Sequence, residues 1–236
     1  MASIDVAANL TALRERIAAV CAQSGRPEDD VRLVAISKRI DLDRVAAAVR
    51  AGQLDLGENR LPDAVDRQDE LRGYEPAAAD VRWHFVGHLQ RNKANKAAGR
   101  FELIHGVHSA ELGQRLDRRA GELGVVQPVL LQVNVTAEPQ KDGLDEAELA
   151  AVAEEVAALP NLELRGLMCM ARFGDPEAGL RRTFARLRTL RDQLTDRLGR
   201  PLPELSMGMS GDYEAAIAEG ATILRIGTAI FGPRTG

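Results

Sequence analysis

Aromatic residues make up only 3% of this 236-residue chain: one tryptophan, two tyrosines and five phenylalanines. A core must therefore be built from Leu, Val, Ile and Ala, within a hydrophobic total of 45%. Cysteine is nearly absent as well. Cys21 and Cys169 provide neither a disulfide framework nor metal-ligand spacing. No apolar run is long enough to span a bilayer. The N-terminus mixes acidic and basic residues at helical spacing, unlike a secretory signal peptide. The formal net charge of −4, with no block of like charges, argues against nucleic-acid binding. These absences leave a soluble, cytoplasmic protein as the expectation, with length suited to one large α/β domain or two small ones.

Lysine is scarce too. Lysine and arginine together number 31, yet the lysines are only Lys38, Lys93, Lys96 and Lys141. Arginine replaces lysine wherever surface charge suffices, but it cannot lose a proton and attack a carbonyl. Lys38 ends the apolar run 31–37 and is a candidate Schiff-base lysine. A lysine that merely ends a strand and points to solvent fits the same feature.

What is present is a repeating grammar. An amphipathic helix over 4–23, with Leu10, Leu13, Ile17 and Val20 on one side, precedes eight short apolar runs. Those runs cover 32–37, 54–58, 83–87, 103–107, 129–134, 163–168, 204–207 and 223–227. Helical stretches separate most of them, at 42–51, 110–123, 146–159, 177–198 and 212–219. Gly52, Gly124 and Gly220 follow helices where a left-handed stop is expected. Eight such units match a (β/α)8 TIM barrel, an α/β fold, with an extra N-terminal helix. We expect a single domain over 1–236, with the helix in 1–25 and the barrel in 31–232. An open doubly wound sheet would want a glycine-rich turn after the first strand, and Ser37-Lys38-Arg39-Ile40-Asp41 has none. Two connections stand out, a soft link over 73–80 and a loop over 136–143 that carries Lys141.

In barrels, function gathers at the carboxyl ends of the strands, with phosphates commonly docked after strands seven and eight. Met209-Ser210-Gly211-Asp212 places Ser210 to cap a helix starting near Asp212, and Gly227-Thr228 offers backbone donors and a hydroxyl across the same corner. Arg225 interrupts an apolar strand, and alternation puts Ile223, Arg225 and Gly227 on one face. If Leu224 and Ile226 pack outward, Arg225 points into the barrel mouth. A charge buried there needs a partner, for which Glu58 is a candidate. A lysine amine, an anion cradle and an arginine between them suit a ligand with both an aldehyde and a phosphate. Pyridoxal 5′-phosphate is the common cofactor of that description.

Several runs carry a family resemblance. Ala35-Ile36-Ser37-Lys38, Gly57-Glu58-Asn59, the run 83–93, Gly166-Leu167-Met168, the run 205–210 and the run 225–232 resemble the pyridoxal phosphate homeostasis protein family over nearly the whole chain. The resemblance implies a barrel like the cofactor domain of alanine racemase, with pyridoxal phosphate held as a Schiff base on Lys38. It also implies phosphate contacts around Ser210, Gly227 and Thr228, Arg225 at the ring nitrogen, and Asn59 and Met168 among the cofactor-binding residues. The family's lysine after strand five matches Lys141. Family members often have a proline shortly after the Schiff-base lysine, where this chain has Arg39-Ile40-Asp41, and Pro62 stands where a polar residue is more usual.

His84, His88, His105 and His108 lack the acidic or cysteine cluster a metal site needs, and no metal is expected. His84 and His88 are instead expected to hydrogen-bond at the barrel mouth, and Cys169 to be a packing cysteine. The chain ends at Gly236, shortly after strand eight, so the second domain of related racemases and decarboxylases is not expected. Racemisation needs bases on both faces of the ring, and only Lys38 can be named. The resemblance therefore implies a non-catalytic monomer that buffers or delivers pyridoxal phosphate, with apo-enzymes as possible recipients. A weak amino-acid racemase or decarboxylase, or a Schiff-base aldolase acting on a sugar phosphate, uses the same lysine.

Overall fold

A computed structural model describes residues 4–138 and 142–233. Asp5 caps the first helix, α1 (Val6–Gln23), its carboxylate accepting from the Ala8 N–H at 2.9 Å. This cap satisfies a backbone donor that the helix itself cannot. Val6, Leu10, Leu13, Ile17, Val20 and Cys21 form the buried stripe of α1.

Eight parallel strands then alternate with helices. They are β1 (Arg32–Ile36), α2 (Leu42–Arg50), β2 (Asp55–Glu58), α3 (Leu61–Tyr74), β3 (Arg82–Phe85), α4 (Ala94–Ala97) and β4 (Leu103–Val107). The second half runs α5 (Ala110–Leu123), β5 (Gln127–Gln132), α6 (Glu146–Ala157), β6 (Leu162–Met168), α7 (Glu177–Leu198), β7 (Glu204–Ser206), α8 (Tyr213–Ala218), β8 (Ile223–Ile226) and α9 (Thr228–Phe231). The strands pair in chain order and the barrel closes where β1 meets β8, in the register Arg32↔Ile223 to Ala35↔Ile226. The (β/α)8 barrel with its N-terminal helix is therefore as the sequence indicates. Gly52, Gly124 and Gly220 all have positive φ, the conformation that glycine adopts at least cost.

Burial divides into two layers. The larger cluster lies between strands and helices and includes Leu56, Trp83, Ile104, Leu112, Phe184 and Leu224. A smaller cluster, Val34, Leu103, Leu130, Met168 and Ile223, fills part of the barrel interior. The alternation inferred for strand eight holds: Ile223 belongs to the inner cluster, while Leu224 and Ile226 belong to the outer one.

Two local expectations change, and one falls outside the described residues. Strand three stops at Phe85 and not at Gly87, and at Gly87 the chains cross so closely that a Cβ would lie 2.1 Å from the Asn59 carbonyl oxygen. The link over 73–80 is ordered: Gly73 and Tyr74 finish α3, and Pro76–Asp80 forms a 3-10 turn. In the loop over 136–143, Lys141 lies outside the described residues.

Helix α1 crosses the seam and ties it. Asn9 Nδ2 donates to the Ile230 carbonyl at 2.9 Å, and Arg26 Nη1 donates to the Ile217 and Ala221 carbonyls. α8 and α9 are thereby anchored behind the rim they help to form. No helix among the described residues is long and apolar enough to cross a membrane.

Candidate functional site

One cavity of about 1130 Å³ opens at the carboxyl ends of the strands. Lys38, Asn59, Ser210, Arg225, Gly227 and Thr228 all line it. Residues far apart in the chain meet there only because the barrel closes.

Lys38 follows β1 in a tight turn. The Ser37 N–H donates to the Gly57 carbonyl at 3.0 Å, and the Ile40 N–H returns to the Ser37 carbonyl at 3.1 Å. Arg39 sits at φ 56°, a left-handed conformation that costs a non-glycine residue about 1 kcal/mol. Such strain is a common mark of functional loops. Ser37 points the other way, its hydroxyl donating to Glu58 Oε1 at 2.6 Å.

Glu58 corrects the partner expected for Arg225. In β2, Gly57 lies inward across from His84, and Glu58 faces the outer layer, where it meets Ser37 and Arg67 Nε at 3.5 Å. Burial pushes the Glu58 carboxyl above its usual range, with the Ser37 and Arg67 contacts opposing. Arg225 is buried and makes no ion pair among the described residues. Its Nη1 donates to Ser206 Oγ at 2.6 Å and its Nη2 to the Cys169 carbonyl at 2.8 Å. Burial pulls its pKa down, with Cys169 and Asp212 opposing. Guanidinium nevertheless keeps its proton in proteins. Arg225 can therefore only donate, and the ligand atom it faces must be an acceptor.

Beside Lys38, across the β1–β8 seam, the rim is built from Ser210, Gly227 and Thr228. Ser210 does not cap the helix that follows it. Asp212 precedes α8 and accepts from the Met209 N–H, while Ser210 Oγ accepts from the Ala229 N–H at 3.4 Å across the corner. That long bond draws the β7 and β8 ends together beside Arg225. At Gly208, φ is +95° and a Cβ would lie 2.8 Å from that of Ala216, so glycine is required for this approach.

Met168 is the exception among the sequence-derived site residues. It is buried in the inner cluster and does not line the cavity; Met170, two residues on, does. Alternation identifies the face but not the depth along the strand. Depth also corrects His84. It lies inside the barrel, fully buried, and only His88 reaches the cavity wall. His88 Nδ1 pairs with Asp142 Oδ1 at 3.1 Å, and its ring stacks on His108 at 4.4 Å.

Beneath the cavity lies a chain of contacts that sequence reasoning did not anticipate. Ser206 Oγ meets His105 Nδ1 at 2.8 Å, His105 Nε2 meets His84 Nδ1 at 3.0 Å, and His84 Nε2 meets Asp55 Oδ1 at 3.0 Å. Arg82 closes the far end with two bonds to Asp55, at 2.9 and 2.5 Å. The available signal was a polar residue at an inward position of five strands: Asp55, His84, His105, Ser206 and Arg225.

Residues 8–235 match the family model described as alanine racemase, N-terminal domain. A pyridoxal phosphate homeostasis protein of Pseudomonas aeruginosa is 43% identical over 97% of this chain and 96% of its own length. PipY of Synechococcus elongatus, solved with pyridoxal phosphate bound, is 39% identical with a TM-score of 0.84, covering 96% of this chain and all of that one. Alanine racemase of Clostridium difficile shares the fold at 16% identity and a TM-score of 0.73, with this chain spanning 57% of it. On these matches over nearly its full length, the chain belongs to the pyridoxal phosphate homeostasis protein family, one branch of the alanine racemase N-terminal domain fold.

Proposed function

We propose that this protein binds pyridoxal 5′-phosphate and buffers or delivers it, holding the cofactor covalently on Lys38 without robust turnover. One observation carries the reading: a half-buried lysine, a buried arginine that can only donate, and a rim of Ser210, Gly227 and Thr228 line one cavity. When bound, the cofactor supplies an aldehyde, with which the Lys38 amine condenses reversibly to a carbon–nitrogen double bond and water. Arg225 offers N–H groups to an unprotonated ring nitrogen. Ser210, Gly227 and Thr228 receive the phosphate. Asn59 contributes from the lysine side of the cavity. Met168 supports the floor from below.

Lack of turnover has its own support. Tyr74 lies on the surface, where its hydroxyl bonds Asp43, and Tyr213 begins α8 away from the cavity wall. His88 is the single histidine on that wall among the described residues, and Asp142 and His108 already engage it. We read the protein as a monomer that passes its cofactor to apo-enzymes.

Borohydride reduction of the purified protein followed by peptide mass mapping tests the reading. A pyridoxyl group on the peptide carrying Lys38 is expected, and Lys38→Ala should abolish the absorbance of the link. A colourless protein, or a label on another lysine, overturns it. Exchange of amino-acid α-hydrogens with solvent deuterium that vanishes in His88→Ala would instead make the protein an enzyme.

A further inference from the structure

The buried chain below the cavity has a direction that its chemistry dictates. Arg225 has no acceptor, so Ser206 Oγ must accept from it and is left with its own proton to donate. At the other end, the Asp55 carboxylate only accepts, so His84 Nε2 must carry a proton. Two ring nitrogens, His84 Nδ1 and His105 Nε2, then share one contact in which a single proton fits.

The Ser206 hydroxyl decides which ring supplies it. Asp55 is already neutralised by two bonds from Arg82, and burial holds it and both rings away from water. Among the described residues the Ser206 hydroxyl, having accepted from Arg225, meets no acceptor other than His105 Nδ1, so that nitrogen is bare and the shared proton belongs to His105 Nε2. Burial drives the His105 pKa well below its ordinary value, with the Arg225 charge acting in the same direction. His105 and His84 therefore each present a proton on Nε2 and a lone pair on Nδ1 to the chain. The bonds run one way: Arg225 to Ser206, Ser206 to His105, His105 to His84, and His84 to Asp55.

We propose that Ser206, His105, His84 and Asp55 are positioning residues for Arg225, an aligned relay of hydrogen bonds that holds the guanidinium beneath the ligand with a distant carboxylate in place of a direct ion pair. The inference rests on Arg225 facing the cofactor, as in the proposed function. An adjacent carboxylate would engage the donors that the ligand needs. The relay instead uses one Nη1 donor on a neutral hydroxyl, while the Cys169 carbonyl takes one from Nη2. Of the five guanidinium N–H groups, three remain. Aligned bonds polarise one another, so the Asp55 anion strengthens the grip on Arg225 from across the barrel.

Nitrogen-15 NMR of histidine-labelled, cofactor-free protein at pH 7 tests the direction. Both His84 and His105 should show a protonated Nε2 and a bare Nδ1. A cationic ring, or a proton on His105 Nδ1, overturns the relay. Ser206→Ala removes one hydroxyl and should weaken pyridoxal phosphate binding about tenfold, with the Lys38 link still forming at saturation. His84→Phe, placed away from the cavity, should weaken binding about threefold and disturb the His105 tautomer. A merely structural role would lower the melting temperature of either variant and leave affinity unchanged. Should His84→Phe fail to fold, the wild-type tautomers and Ser206→Ala still decide. Wild-type protein that fails to bind the cofactor defeats the proposed function, whereas wild-type binding matched by Ser206→Ala defeats the relay alone.

Discussion

The inside of the barrel and the layer around it are built from opposite materials. The outer layer is mainly apolar, a cluster of Leu, Val, Ile and Ala running from α1 to α9 that the Ser37–Glu58 pair interrupts. The interior holds a five-residue apolar plug beside a file of Asp55, His84, His105, Ser206 and Arg225. Apolar burial is non-directional and tolerates exchange at constant volume. A polar file tolerates almost nothing, since each member satisfies its neighbour. In this protein the outside of the barrel holds the fold and the inside aims a side chain.

Truncation in the outer layer should give the largest loss. Leu112→Ala, fully buried in the first turn of α5, should cost about 3 kcal/mol and lower Tm by roughly 6–12 °C, read by calorimetry. The histidine tautomers should be unchanged, and a change would break the division between layers. His105→Leu should cost less, about 1–3 kcal/mol by urea denaturation, because it leaves Ser206 and His84 without a partner.

The same variant sharpens the contrast through pH. His105 titrates well below 6.5 when folded, so below pH 6.5 the unfolded chain binds a proton that the folded one refuses. Its contribution is complete above that pH and is lost as pH falls. Between pH 6.5 and 5.5 His105 alone should cost the wild type about 1 kcal/mol, and His105→Leu should reduce the slope by that amount. His108, also held low by burial, contributes in the same direction and remains in the variant. Asp55 acts at lower pH. Burial would raise its pKa, but bonds from His84 and Arg82 hold it at about 2 against an ordinary 3.8. That contribution is present above pH 3.8 and lost as pH falls toward 2. The smallest effect should come from the surface. Arg16 pairs with Glu214 at 2.8 Å in the open, and Arg16→Ala should leave Tm unchanged.

The barrel was legible because each strand is a short apolar run and each helix a periodic one, both local patterns. Six of the seven candidate cofactor residues share the cavity because strand ends in a barrel share one rim. Depth was not legible. Met168 and His84 lie lower than their sequence neighbours suggest, since strand stagger, and not alternation, sets the level of each side chain. Glu58 was misassigned by one step of the pleat, which put it on the wrong side of β2. The relay depends on five strands at once, and the position of Asp55 relative to Ser206 is a property of the closed sheet alone.

The seam between β1 and β8 has a consequence for assembly. Lys38 follows the first strand and Arg225 belongs to the last, so neither can act with the other until Val34 lies across from Arg225. A ligand gripped from both sides latches the two ends of the sheet together and cannot be held by a barrel open at that join. At a hundredfold excess over Kd, such a ligand would favour the closed ring by about 2.7 kcal/mol. Loading is then also an inspection, passed only by molecules whose first and last strands have met.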